Sequence, residues 1–184
     1  MRSVIIILVL TGCIHPNQRV IKIDDVGWTF ELPDDIQFKD SAFDNNGDIR
    51  NAKWDSSSKE ARILLFEIRP KPDNYFTCFI YKRTLSTADW QDAHVTDGRF
   101  YFSTLASLST IIVLDTSISR QKIDGVDFYR EYMKCYNSAT KDTIYSYRFS
   151  RQYQQYDLDI NIGYIDSSLG ERYLQILKGS HFKN

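Results

Sequence analysis

Apolar and polar positions alternate over short stretches for most of this chain, and the stretches come in pairs. RVIKID and GWTFELP read as two extended segments. In the second, Trp28 and Phe30 share a face, and Pro33, Asp34 and Asp35 make the turn. ARILLFEIRP is nearly continuous in apolar residues and is stopped by PKPDN; YFTCFIYKRT follows as its neighbour. There Phe76, Cys78 and Ile80 point one way, while Tyr75, Thr77, Phe79 and Tyr81 point the other. TIIVLDTSISRQKIDGVDFYREYMKCYN reads as two more extended runs around Asp124-Gly125, a hairpin signal. TIYSYRFSRQYQQYDLDINIGYID is a further hairpin. Its second arm places Tyr156, Leu158, Ile160, Ile162 and Tyr164 toward a core, and Asp157, Asp159 and Asn161 toward solvent.

Two stretches shift to helical spacing. STADWQDAHVTDGRFYFSTLASL opens on Ser86 with Asp89 three residues on, a cap signal, and carries Tyr101, Leu105 and Leu108 at helical intervals. Gly98 weakens its middle, so a kink or two shorter helices are expected. Near the end, Ser168 with Glu171 reads as a capping box, and Leu169, Tyr173, Ile176 and Leu177 form an apolar stripe. Lys178 suits the helix C-terminus, Gly179 stops the helix, and Phe182 is expected to pack. Between the first two strand pairs, DSAFDNNGDIRNAKWDSSSKE is polar and reads as loop.

The N-terminus has a different pattern. Arg2 precedes seven apolar residues, Val4 to Leu10, and polar residues resume at His15. A membrane-spanning helix needs about 20 apolar residues, so this run is not a permanent span. Leu10, Thr11, Gly12 and Cys13 resemble the lipobox of bacterial lipoproteins. The resemblance implies a signal peptide over 1–12, removed on export, and a Cys13 carrying covalent diacylglycerol and an N-acyl chain. Two or more acyl chains hold a protein stably on a bilayer. Ile14 stands where an Asp would retain an enteric-type lipoprotein at the inner membrane, which points to the outer membrane, facing the periplasm. Residues 13–18 form a lipidated tether and 19–184 a single domain, a length ordinary for one domain.

Composition narrows the partners. A formal net charge of −1 offers no cationic surplus for phosphates, so nucleic acid is not expected as a partner. Twelve Tyr and eleven Phe are the one compositional excess and suit half-buried strands. Trp54 and Trp90 lie where they either line a groove or plug sheet edges, and Trp28 is expected in the core. Besides Cys13, only Cys78 and Cys135 are present. They read as two buried thiols on separate strands, with a disulfide as the alternative that an oxidising periplasm permits.

The element order resembles the PsbP-like α/β sandwich, which includes DcrB-type lipoproteins. GWTFELPDDIQF is similar to that family's opening strand, KIDGVDFYREYM to its central hairpin, and LDINIGYIDSSLGERYLQILKGSHF to its closing strand, helix and tail. The resemblance implies an α+β fold, a twisted antiparallel sheet flanked by helices on both faces. It implies binding of other proteins and no catalysis, and it transfers no contact residues to this chain.

Candidate chemistry is sparse. Asp157, Asp159 and Asn161 lack the Gly and the final Glu of an EF-hand and read as a strand face. Asp44, Asn46, Asp48 and Asp55 form the better cation-binding candidate, but a turn-rich surface loop is the preferred reading of them. No other metal and no dissociable cofactor is expected. The histidines, His15, His94 and His181, lie on the tether, mid-helix and in the tail, without a Gly-x-Ser-x-Gly elbow. The expectation is therefore a lipid-anchored, non-catalytic module that binds an envelope protein, of unassigned oligomeric state. A toxin-immunity or effector-chaperone protein is one alternative. The other is an envelope hydrolase using a perturbed residue such as His94 in a pocket.

Overall fold

The computed structural model describes residues 18–23, 26–36, 62–82, 86–154 and 156–183. The lipobox with Cys13, Trp54, and the loop carrying Asp44, Asn46, Asp48 and Asp55 lie outside the described residues.

Two sheets form. The smaller contains β1 (Gln18–Ile23), β2 (Trp28–Pro33) and β9 (His181–Phe182), in the order β1-β2-β9. The larger contains β3 (Arg62–Lys71), β4 (Asn74–Lys82), β5 (Ile111–Ile123), β6 (Val126–Asn137), β7 (Asp142–Tyr153) and β8 (Tyr156–Tyr164). Its order is β3-β4-β8-β7-β6-β5, with every pairing antiparallel. Three hairpins thus build β5 to β8, and β8 docks this unit on β4. Asp124 and Gly125 at the β5–β6 turn both have positive φ, 50° and 76°, as a two-residue turn of right-handed twist requires.

Alternation along these strands sorts the larger sheet into two faces. One is apolar: Phe66, Ile68, Phe76, Cys78, Ile80, Phe149, Leu158, Ile160 and Ile162 are buried there. It is covered by the small sheet and by α2 (Ser167–Lys178). Trp28 and Phe30 bring β2 into this core, with the Trp28 ring 4.5 Å from Phe30, 6.1 Å from Phe66 and 6.0 Å from Phe76. Such ring pairs add about 0.5–1.5 kcal/mol each beyond their area.

The α2 helix follows its stripe, burying Tyr173, Ile176 and Leu177. Its start differs from the expected Ser168–Glu171 box. Asp166 is the N-cap, its side chain accepting from the Ser168 and Leu169 N–H groups. Asn74 reinforces the site, its Oδ1 accepting from the N–H groups of Ile165 and Asp166 at 3.1 Å each. Gly170 is buried because the Tyr164 ring lies where its Cβ would be, 2.3 Å away. That contact lets the helix backbone approach β8.

The opposite face carries α1 (Thr87–Ala106), packed on β5 and β6. Ser86 caps it as expected, accepting from the Asp89 N–H and donating to the Asp89 carboxylate. The helix runs unbroken through Gly98, contrary to the expected kink. A Cβ on Gly98 would lie 3.0 Å from the Glu131 carboxyl carbon and 3.1 Å from Ile118, so Gly98 permits close approach to the sheet. The inward face also differs from expectation. Trp90 and Gly98 are buried, whereas Tyr101 and Leu108 are exposed and Leu108 lies beyond the helix end. Among the described residues, no helix is long and apolar enough to cross a membrane.

Candidate functional site

Cross-strand register assembles the site beneath α1. Asn161 of β8, Arg148 of β7, Glu131 of β6 and Ile118 of β5 form one row across the sheet, starting from Thr77 of β4. The next row runs Phe79, Asp159, Ser150, Tyr129, Arg120. Residues opposite one another on antiparallel strands have Cβ atoms about 5 Å apart, so the charges of three strands converge. The Arg148 Nη2 donates to Glu131 Oε1 at 2.5 Å.

Here the structure corrects the reading of β8. Asp159 belongs to the strand's polar face, but that face is covered: Asp159 is 6% exposed and Glu131 5%. Period-two patterning reports that a residue points away from the apolar core. It does not report whether a helix arrives on the far side.

Between α1 and the sheet lies a cavity of about 330 Å³. Its walls include Tyr75 and Tyr81 of β4 and Tyr101 and Phe102 of α1, and its base includes Glu131, Arg148, Asp159 and Asn161. Asp159 makes no hydrogen bond among the described residues, and its enclosed Oδ1 is unpartnered. The Nε of Arg148 is also unpartnered. Burial raises the Glu131 carboxyl above its ordinary range, against the hydrogen bond from Arg148. Burial acts to lower Arg148, but Asp159 and then Glu131 outweigh it and leave the guanidinium above its ordinary value.

His94 lies on α1 with its ring 4.0 Å from that of Trp90, which meets Tyr129 edge-on at 5.5 Å. Burial lowers the His94 pKa; Asp159 opposes this and Arg148 adds to it. His94 of α1 thus lies over the sheet face that carries Ser150 and Asp159. The Nε2 of His94 and the Oγ of Ser150 are both without a hydrogen-bond partner, so they make no nucleophile–base contact with each other. Trp90 is buried and plugs the gap between α1 and the sheet.

Cys78 and Cys135 are buried free thiols, and the alternative disulfide does not form. Their strands, β4 and β6, are separated by β8 and β7, about 14 Å at ordinary strand spacing. The register also puts them on opposite faces. A disulfide requires Cα atoms within about 7 Å. Burial raises both thiols. His181 lies at the tail strand, 3.5 Å from Asp124, far in chain and fold from the cavity lining. Among the described residues, no group of three or more His, Cys, Asp or Glu is arranged to hold a metal.

No family model and no curated protein matches this sequence. Among solved structures, the chain is similar to cyanobacterial PsbP (CyanoP) from Synechocystis sp. PCC 6803, at 10% identity and a TM-score of 0.51. That likeness covers 96% of this chain and 99% of the other. LpqN, involved in cell envelope biogenesis of Mycobacterium tuberculosis, is similar at 8% identity over 91% of this chain and 79% of its own, TM-score 0.40. A protein of unknown function from Pseudomonas aeruginosa is similar at 8% identity over 88% of this chain and 94% of its own, TM-score 0.37. The six-stranded antiparallel sheet, with α1 on one face and α2 and the small sheet on the other, is therefore a PsbP-like α+β sandwich.

Proposed function

We propose that this chain is a lipid-anchored lipoprotein of the bacterial envelope that binds a protein partner in the periplasm. The anchor rests on Arg2, the apolar run and the Leu-Thr-Gly-Cys sequence ending at Cys13. Ile14 after the cysteine favours the outer membrane under the enteric-type rule. Tethering would raise the domain's effective concentration toward membrane-bound partners.

The observation that carries the binding reading is a juxtaposition. The stretch from Phe100 to Leu114 holds Phe100, Tyr101, Leu108, Ile112 and Leu114, all large apolar or aromatic side chains exposed to solvent. Phe100 is 71% exposed. Tyr101 of this stretch also lines the cavity and Phe100 precedes it on α1, so exposed aromatic side chains border the charged recess. Exposed apolar patches beside polar groups mark interaction surfaces.

Crosslinking in the cell followed by recovery of the intact lipoprotein tests both halves. A reproducible partner whose yield falls with Phe100→Ser supports the reading; yield unchanged by that substitution, or no partner, removes it. Palmitate labelling tests the anchor, with label expected in the natural chain and lost in Cys13→Ser. Equal label in the two rejects Cys13 as the attachment site. The identity of adjacent genes separates a toxin-immunity or effector-chaperone role from a general envelope role.

A further inference from the structure

We infer that the cavity between α1 and the sheet receives an organic cation, an ammonium or guanidinium group held against Asp159 within aromatic walls. The inference rests on the binding reading above and names the chemistry of what enters. Its first support is charge. Glu131 and Asp159 at the base share a single guanidinium, Arg148, which donates to Glu131 at 2.5 Å and attracts both carboxylates. Asp97 of α1 adds a further negative charge that Glu131 and His94 both feel. One carboxylate is thus in excess in a recess where both carboxylates are more than nine-tenths buried. An uncompensated buried carboxylate is costly, and a cation offsets that cost.

The second support is hydrogen bonding. Asp159 is more than nine-tenths buried, lines the cavity and has no hydrogen-bond partner among the described residues. Buried carboxylates in folded proteins ordinarily accept several hydrogen bonds. An ammonium or guanidinium supplies donors and charge together. The third is the wall. Tyr75, Tyr81, Tyr101 and Phe102 place four rings around the recess, and ring faces attract cations within about 6 Å. The protein already uses this geometry outside the cavity, with the Arg69 guanidinium 4.9 Å from the Tyr75 ring centre. The volume of about 330 Å³ accommodates the end of a lysine or arginine side chain or a small free amine. An anionic ligand would meet the excess carboxylate, so the same geometry selects against it.

Two-dimensional NMR of the 19–184 domain within the full mature chain, titrated with butylammonium, methylguanidinium and neutral 1-butanol, tests the inference. Saturable shifts are expected at Asp159, Asn161 and Tyr101 with the two cations and not with butanol. Asp159→Asn, whose spectrum must stay folded, is expected to weaken cation binding about tenfold or more. Tyr101→Ala, at an exposed helix position, is expected to weaken it several-fold without unfolding the domain. Equal response to butanol, absence of saturation, or undiminished affinity in folded Asp159→Asn overturns the inference. Lysine- and arginine-containing peptides against putrescine then separate the sources: tighter peptide binding assigns the cation to a protein partner, tighter putrescine binding to a free polyamine. If no probe binds while crosslinking still recovers a partner, the cation inference alone fails and the binding reading stands.

Discussion

The rings of Trp28 and Phe182 stack with centroids 5.7 Å apart and planes 4° from parallel, joining the second strand to the last residues of the chain. Phe182 also meets Phe128 at 5.0 Å, and its N–H donates to the Asp124 carboxylate at the β5–β6 turn. The C-terminal tail is therefore fastened to both sheets. Removing the ring in Phe182→Ala leaves a cavity beside Trp28, with an expected loss of about 3–5 kcal/mol. Urea unfolding followed by Trp fluorescence checks this. Phe182→Leu, which keeps most of the volume, is expected to lose less than half as much.

Asn74 is buried at the β3–β4 turn, and its side-chain oxygen accepts two backbone N–H groups at the entry to α2. Asn74→Ala leaves both donors unpartnered inside the protein. A loss of about 1–3 kcal/mol is expected. Amide exchange at Ile165 and Asp166 should accelerate with it, ahead of the exchange of β6 and β7.

Gly170 presents a case in which helix propensity and packing oppose each other. Alanine is favoured over glycine in a helix by about 1 kcal/mol. At this position the added methyl would sit 2.3 Å from the Tyr164 ring, so packing decides the sign. Gly170→Ala is expected to destabilise by about 1–3 kcal/mol. In a Tyr164→Ala background the same change should cost markedly less, and a double-mutant cycle measures that coupling.

His94 should titrate below 6.5, because burial disfavours its charged form. A lowered folded pKa means that the unfolded chain takes up the proton first as pH falls. Stability linked to this group is full above the unfolded value and is lost as pH drops through it toward the folded value. Asp159 raises the His94 pKa, so Asp159→Asn should move the midpoint further down. Imidazole resonances followed by NMR report both shifts. An upward movement in Asp159→Asn would remove Asp159 from the surroundings assigned to His94.

Much of the framework follows from local pattern. Alternation in YFTCFIYK separates Phe76, Cys78 and Ile80 from Tyr75, Thr77 and Tyr81, and the structure keeps that division. Asp124-Gly125 places a turn that only positive φ allows, and Ser86 caps α1 as its position suggests. These features depend on bonds within a few residues or on the two-residue period of a strand, so the sequence alone determines them. The apolar stripe of α2 belongs with them, because it needs only one face to bury.

What lay beyond local pattern required the arrival of a distant element. Asp159 belongs to a polar strand face whether or not α1 covers it, yet coverage turns it from a solvated carboxylate into the base of a cavity. Gly98 looks like a weak point in its helix until Glu131 is placed against it, and the need for Gly170 shows only once Tyr164 is in place. The N-cap of α2 shifts from Ser168 to Asp166 where Asn74, about ninety residues earlier, holds the preceding N–H groups. Period and capping are properties of neighbouring residues, set by backbone geometry. Burial, charge balance and pKa belong to pairs far apart in the chain, and only the packing of α1 and α2 on the sheet brings those pairs within range.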